Sequence, residues 1–344
     1  MPMPLKTLTD PRLALLEPLL DKNAAVLGFG NQGAAHAVNL RDSGVDVVVA
    51  NRSESPGFQR AIASGFTPTT IPHATESADL LIVALPDEAQ PDLWRTEIAP
   101  NLRPGSTVGF LHGFNVHYGF IDPPRDIGVV MVAPKGPGTT LRQRFEQGHG
   151  IPCLFAVHRE SPDRDAEALG LAWAAGIGCA RAAIVYTSFA HETETDLFGE
   201  QTVLCGGMTQ LILAAFETLV DSGYPPELAY MECCQEAKQI TDLIYERGLA
   251  GTMDAISNTA EFGAHKTGPG LIDDAVRARM RIVLDDIRNG AFAAGLRADH
   301  AAGFPWFNAR RQALRNHPIE AAGSTVRTWL PWLSDPPAPH PDRT

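Results

Sequence analysis

The feature that most narrows the fold is a glycine turn set between a strand-like run and a helix-like run. The apolar residues 24–27 (AAVL) lead directly into Gly28, Phe29, Gly30, Asn31, Gln32 and Gly33. This is the G-x-G-x-x-G spacing, whose glycines permit a tight turn, close approach of backbone to a pyrophosphate and tight helix packing. Residues 32–43 then read as a helix that Gly44 closes. A turn of this kind also arises for packing alone, but its place at the head of a βαβ unit favours dinucleotide binding.

The text after the turn keeps the same rhythm. Short β-rich apolar runs at 45–50, 80–85, 106–111, 129–132 and 154–157 alternate with helical stretches, which predicts a Rossmann-type α/β domain with a doubly wound parallel sheet over residues 1–187. From about Tyr186 the strand signal stops. Residues 202–220 are apolar apart from Glu217 and predict a buried helix. Residues 226–246 carry Ala229, Cys233, Ala237, Ile240 and Ile244 on a helical stripe, and 272–287 predict a third helix. The second domain, 188–334, is therefore all-helical, and the Pro-rich 335–344 reads as a disordered tail.

Composition limits the partners. The 344 residues hold 28 Lys and Arg against 40 Asp and Glu, a formal charge of −12; such a surface repels nucleic acid and anionic membranes. No uncharged apolar run approaches the roughly 18 residues that span a bilayer. Cys153, Cys179, Cys205, Cys233 and Cys234 form no CxxC pair, and the first residues suit neither a secretory nor a transit signal, so the expected setting is cytoplasmic with reduced thiols.

Candidate functional residues fall at strand ends and on helices. After the second strand, where an acidic residue would hold a 2′-hydroxyl, the chain offers Asn51, Arg52, Ser53 and Ser55, with Glu54 opposing; cations and hydroxyls there favour a 2′-phosphate and hence NADPH. His112, in HGFN, and Lys135, in APKGPG, sit at ligand-bearing ends of strands, and each admits both a substrate-contacting and a purely structural role. Asp196 and Glu200 are four residues apart, as are Glu232 and Glu236. Such like-charged pairs are mildly unfavourable on a bare helix. Two readings follow: an oxygen-only site for Mg²⁺, or two acidic faces turned to solvent.

The blocks GFGNQG, HGFNVHYG, MVAPKGPG, ETETDLFGEQTVLCGG, GYPPELAYMECCQEAK and ISNTAEFG, in this order from about residue 24 to 332, resemble the ketol-acid reductoisomerases, with the length of their short-chain class. The resemblance implies an enzyme that isomerises an acetohydroxyacid and reduces the product with NADPH in valine and isoleucine biosynthesis. It implies two Mg²⁺ ions held by Asp196 and Glu200, with Glu232 and Glu236 completing the site from the other subunit of a homodimer whose helical domain is knotted. Larger assemblies of dimers also belong to this expectation. His112 and Lys135 match the family's catalytic pair, and Ser257 its substrate contact. Phe29 to Gln32, Arg52, Ser55, Asp87, Glu88, Ala89, Gln90 and Gly138 match cofactor contacts, alongside Gly28, Gly30, Gly33 and Ser53 of the motifs above. The chain departs from the family at Glu54, commonly Gly, at Gly57, commonly Ser, at Thr139 after APKGPG, and at Gln235. Three further readings stand beside this one: a paralogue for a related hydroxy-keto acid, a simple NADP-dependent hydroxyacid dehydrogenase, and a catalytically silent NADP-binding regulator.

Overall fold

The computed structural model describes residues 6–10, 14–161 and 166–333, so the tail expected at 335–344 lies outside the described residues. The chain divides into two compact units between Thr193 and Glu194, inside a helix rather than at the 187/188 boundary read from sequence.

Eight strands form the sheet of the N-terminal unit: β1 (Thr7–Leu8), β2 (Asn23–Leu27), β3 (Asp46–Ala50), β4 (Leu80–Val83), β5 (Thr107–Phe110), β6 (Gly128–Pro134), β7 (Cys153–Arg159) and β8 (Ile184–Tyr186). Their spatial order is β1-β8-β7-β6-β5-β4-β2-β3. β3, β2, β4, β5 and β6 run parallel. The sheet is mixed beyond that point, because β7 pairs antiparallel with β6, and β1 antiparallel with β8. The apolar runs of β7 and β6 look alike in sequence, and strand direction leaves no mark on such a run. The chain crosses from β2 outward to β3 and then back to β4 on the other side of β2, so the switch point of the sheet lies where β2 and β4 end.

Each central strand is apolar on both faces because helices cover both. Ala24, Val26, Leu80, Ile82, Val130 and Val132 enter one core cluster, and their neighbours Ala25, Leu27, Leu81, Val83, Val129 and Met131 the other, as alternation along a strand requires. On the first face the fully buried Trp173 lies over Gly109, where an added Cβ would come within 2.6 Å of the indole ring. The indole N–H donates to His36 Nδ1 at 3.0 Å, and burial pushes the pKa of His36 from 6.5 down to about 3. The unfolded chain therefore takes up a proton that the folded chain refuses. Stability from this source is complete above pH 6.5 and is lost as pH falls toward 3, by an amount on the order of several kcal/mol. Denaturant unfolding at pH 7 and pH 4.5 should show a smaller difference between the two pH values in His36→Gln than in the unmodified chain.

The C-terminal unit is helical, with more helices than the three read from sequence: Asn258–Leu271, Ala291–Ala301, Pro305–Arg315 and Pro318–Thr328 join the expected Asp274–Arg288. Two other expectations are corrected. The stretch 202–220 is not one buried helix. It passes through a π turn, Glu200–Leu204, into the helix Gly206–Asp221, of which Phe216 alone is buried. Phe216 packs with Ala229, Ile319 and Ala322, a core too small to cover the remaining apolar face, so Leu204 and Leu211 stay exposed. By length and composition only, Phe189–Asp221 is long and apolar enough to cross a membrane, and 6% of its apolar window is buried within this chain. Likewise 226–246 is broken by a π turn at Met231–Gln235, between the helices Pro226–Tyr230 and Ala237–Met253. π turns occur mostly as single-turn bulges inside α-helices, too short a departure to show in apolar spacing read over some twenty residues.

Candidate active site

The carboxyl ends of β2, β4, β5 and β6 share one edge of the sheet, and each carries a segment singled out in the sequence. β2 runs into Gly28, whose φ of 95° lies in the left-handed region. A Cβ on Gly28 would meet Ala84 O at 2.5 Å, and one on Gly33 would meet Gly28 O at 2.3 Å. Gly30 caps the Asn31–Asp42 helix without any side-chain hydrogen bond, which leaves the first N–H groups of the helix for an anion. The Gly138–Glu146 helix also starts without a side-chain cap. It is set against the same turn: a Cβ on Gly138 would lie 2.1 Å from Asn31 O, Thr139 N–H donates to Asn31 Oδ1 at 2.9 Å, and Gln32 Nε2 donates to Gly136 O at 2.9 Å. The uncapped start of the Asn31–Asp42 helix, beside a turn with no room for side chains, is a fitting cradle for a dinucleotide pyrophosphate.

The loop after β4 is pinned from within. Gln90, buried, donates to Leu85 O at 2.8 Å and to Asp87 Oδ1 at 3.1 Å. Asn115 Nδ2 in turn donates to Asp87 O and Gln90 Oε1, both at 3.0 Å. The Asp87, Glu88, Ala89, Gln90 segment is thus locked to the HGFN loop, a tie the sequence did not disclose. Past β3, Arg52 and Ser53 are exposed, and Ser55 caps the Pro56–Ala63 helix by accepting Phe58 N–H at 3.2 Å.

His112 and Lys135 converge on Glu192, a residue the sequence reading passed over as one of several acids before the apolar helix. Glu192 is 1% exposed. His112 Nδ1 lies 3.0 Å from both of its carboxylate oxygens, Gly113 N–H donates to Oε2 at 2.9 Å, and Lys135 Nζ stands 3.6 Å from Oε1. An ionised carboxylate only accepts, so the imidazole carries its proton on Nδ1 and presents Nε2. Gly113 permits this approach, since a Cβ there would meet Thr193 Oγ1 at 2.5 Å and Phe189 O at 2.8 Å. Glu192 stands four residues before Asp196 on the Phe189–Gly199 helix, a spacing that sets both on one face but carries no sign of its partner His112, 80 residues away.

The remaining candidates lie in the helical unit. Glu200 opens one π turn, Glu232 lies in the other, and Glu236 follows it. Such turns recur at functional sites. Glu232 and Glu236 are exposed, and among the described residues no group of three potential ligands joins either of them to Asp196 or Glu200 within one chain. The four side chains supply carboxylate oxygens alone, the donor set that suits a hard divalent cation such as Mg²⁺. Ser257 caps the Asn258–Leu271 helix by accepting Ala260 N–H at 3.2 Å, and its residue is exposed.

Residues 18–183 match the family described as acetohydroxy acid isomeroreductase, NADPH-binding domain, and residues 189–332 match ketol-acid reductoisomerase, C-terminal domain. An NADH-preferring ketol-acid reductoisomerase from an uncultured archaeon is similar over 95% of this chain and 99% of its own, at 38% identity and a TM-score of 0.91. Two more distant structures share the fold. They are a putative oxidoreductase from Jannaschia sp. CCS1 (16% identity, 78% of this chain and 97% of that one, TM-score 0.59) and a semialdehyde dehydrogenase NAD-binding protein from Cupriavidus necator (21%, 78% and 99%, 0.58). Sheet, glycine turn and matches together define an NAD(P)-dependent oxidoreductase. More narrowly, with both domains matched in order, the chain belongs to the ketol-acid reductoisomerase family.

Proposed function

We propose that this enzyme converts a 2-aceto-2-hydroxyacid, acetolactate or acetohydroxybutyrate, into a 2,3-dihydroxyacid by an alkyl shift followed by reduction, as in valine and isoleucine biosynthesis. The observation that carries the reading is the buried Glu192 carboxylate, which gathers His112, the Gly113 N–H and Lys135 at the sheet edge where the glycine turn opens. A reduction alone needs one proton donor beside the nicotinamide. A fixed imidazole and a lysine on one buried carboxylate suit a reaction that must also take a proton from a tertiary alcohol.

In this reading Asp196 and Glu200 hold two Mg²⁺ ions with Glu232 and Glu236 of a second copy. When bound, the ions supply Lewis acidity to the hydroxyl and ketone oxygens of the substrate. Glu192 holds His112 in one tautomer and keeps Lys135 in place. The glycine turn and the uncapped start of the Asn31–Asp42 helix bind the cofactor pyrophosphate, and Arg52 with Ser53 and Ser55 favours NADPH. Support for a homodimer comes from the apolar surface the helical unit leaves uncovered, with Leu204, Leu249 and Phe262 62%, 70% and 69% exposed; patches of this kind mark interfaces. The five free cysteines support a reducing, cytoplasmic setting.

The test is NADPH consumption with 2-acetolactate in enzyme stripped by EDTA, before and after Mg²⁺ is restored, with Glu232→Gln alongside. Activity should vanish on chelation and return with Mg²⁺, and Glu232→Gln should lose about 10³-fold, equivalent to ~4 kcal/mol of barrier. A simple hydroxyacid dehydrogenase would leave both treatments nearly silent.

A further inference from the structure

The loops at the ligand edge of the sheet are tied to one another, and the Asn115 side chain ties the loop after β4 to the loop after β5. Asn115 lies on the short helix Phe114–His117 that follows β5, three residues beyond His112, and is 1% exposed. Its Nδ2 donates to Asp87 O and to Gln90 Oε1, both at 3.0 Å. Gln90 Nε2 donates onward to Leu85 O at 2.8 Å and to Asp87 Oδ1 at 3.1 Å. A backbone carbonyl only accepts, so Asp87 O fixes which end of the Asn115 amide faces the loop, and Leu85 O does the same for Gln90. The two amides therefore meet in one sense, N–H to oxygen.

The backbone of Asn115 holds its own loop as well. Its carbonyl accepts the N–H groups of Phe120 at 2.8 Å and Ile121 at 2.9 Å, which closes the turn after the short helix. On the other side, Gly113 N–H is held by Glu192. His112 thus stands on a segment anchored twice, by Glu192 at Gly113 and by the loop after β4 at Asn115. Packing alone does not account for an asparagine here. Among the described residues its Oδ1 finds no hydrogen-bond donor although the side chain is buried, and a buried acceptor left unpaired calls for a reason other than stability. β4 ends at the switch point, where the cofactor of a dinucleotide fold lies, so the tie joins the wall of the cofactor crevice to the segment that carries the imidazole.

We infer that Asn115 is a positioning residue: through its bonds to Asp87 and Gln90 it sets the spacing between the cofactor crevice and His112, so that reduction and proton transfer meet on one substrate. The inference rests on the function proposed above and needs neither the metal site nor a second subunit.

The experiment is single-turnover stopped-flow measurement of NADPH oxidation in Mg²⁺ with saturating 3-hydroxy-3-methyl-2-oxobutyrate, on the unmodified enzyme, Asn115→Ser, Gln90→Met and the double variant. Asn115→Ser removes the donor and Gln90→Met the acceptor, so the two break one bond from opposite sides. Each should lower the rate at saturation by about 10–100-fold, the penalty for misplacing reacting groups by about an ångström, while the Kd for NADPH and the KM for substrate change by less than about fivefold. The double variant should stay within about threefold of the slower single one, because both changes remove the same interaction. A saturating rate within about threefold of the unmodified enzyme in both single variants, a loss confined to Kd and KM, or losses that multiply in the double variant overturn the positioning role. Loss of folding in both single variants, read by thermal unfolding, makes Asn115 a structural brace and overturns it too. If the unmodified enzyme oxidises NADPH with neither this substrate nor 2-acetolactate, the proposed function fails, and the inference with it.

Discussion

Glu192→Gln is expected to lower turnover of acetolactate by about 10²–10⁴-fold, the range associated with loss of positioned acid–base catalysis, while NADPH affinity stays within about twofold. The substitution keeps shape and removes charge. The carboxylate accepts from His112 Nδ1 and from Gly113 N–H and pairs with the Lys135 ammonium at 3.6 Å; an amide offers one accepting oxygen and turns an NH₂ group toward donors. With Glu192 1% exposed, water cannot repair the mismatch, and an unsatisfied buried donor costs about 1–3 kcal/mol. The imidazole then loses the bond that fixes its tautomer, and Lys135 loses its buried counter-charge. The pH profile of kcat should move with the loss, which a merely structural defect would not produce. Stopped-flow and steady-state rates, with cofactor titration as control, measure all three quantities.

Gly28→Ala is expected to abolish cofactor binding and to destabilise the N-terminal unit by several kcal/mol. Two costs add at this position. Its φ of 95° charges an alanine about 1–2 kcal/mol, and the new methyl would stand 2.5 Å from Ala84 O, at the switch point where β2 and β4 are paired. Overpacking of this kind costs about 1–3 kcal/mol more. Relaxing the clash parts the ends of β2 and β4 and misdirects the start of the Asn31–Asp42 helix, which has no side-chain cap and is the proposed anion site. Thermal unfolding and NADPH titration read the two consequences separately.

What the sequence disclosed and what it hid follow from the range of the interactions concerned. The glycine turn, the helix after it and the five parallel strands rest on local periodicity, and the structure places them within a few residues of expectation. The antiparallel entry of β7 is a property of pairing, and the two-residue β1 and three-residue β8 are too short to carry a pattern. The π turns at Glu200–Leu204 and Met231–Gln235 are invisible to a reading at 3.6 residues per turn. Residues 202–220 look like a core helix because they are apolar, yet within this chain most of them stay exposed, so apolarity alone does not separate a core face from the surface for which a second copy is proposed. At the site, His112 and Lys135 were legible from the Gly and Pro around them. Glu192 was not, because its meaning lies in a partner 80 residues earlier in the chain.

The most direct test of the central claim, one site performing both migration and reduction, is to follow NADPH oxidation in Mg²⁺ with 2-acetolactate and, separately, with 3-hydroxy-3-methyl-2-oxobutyrate, the intermediate that needs reduction alone. Turnover of both substrates, with the first dependent on Mg²⁺, is the predicted result. Reduction of the second without any turnover of the first would contradict it, since the site would then lack the migration step.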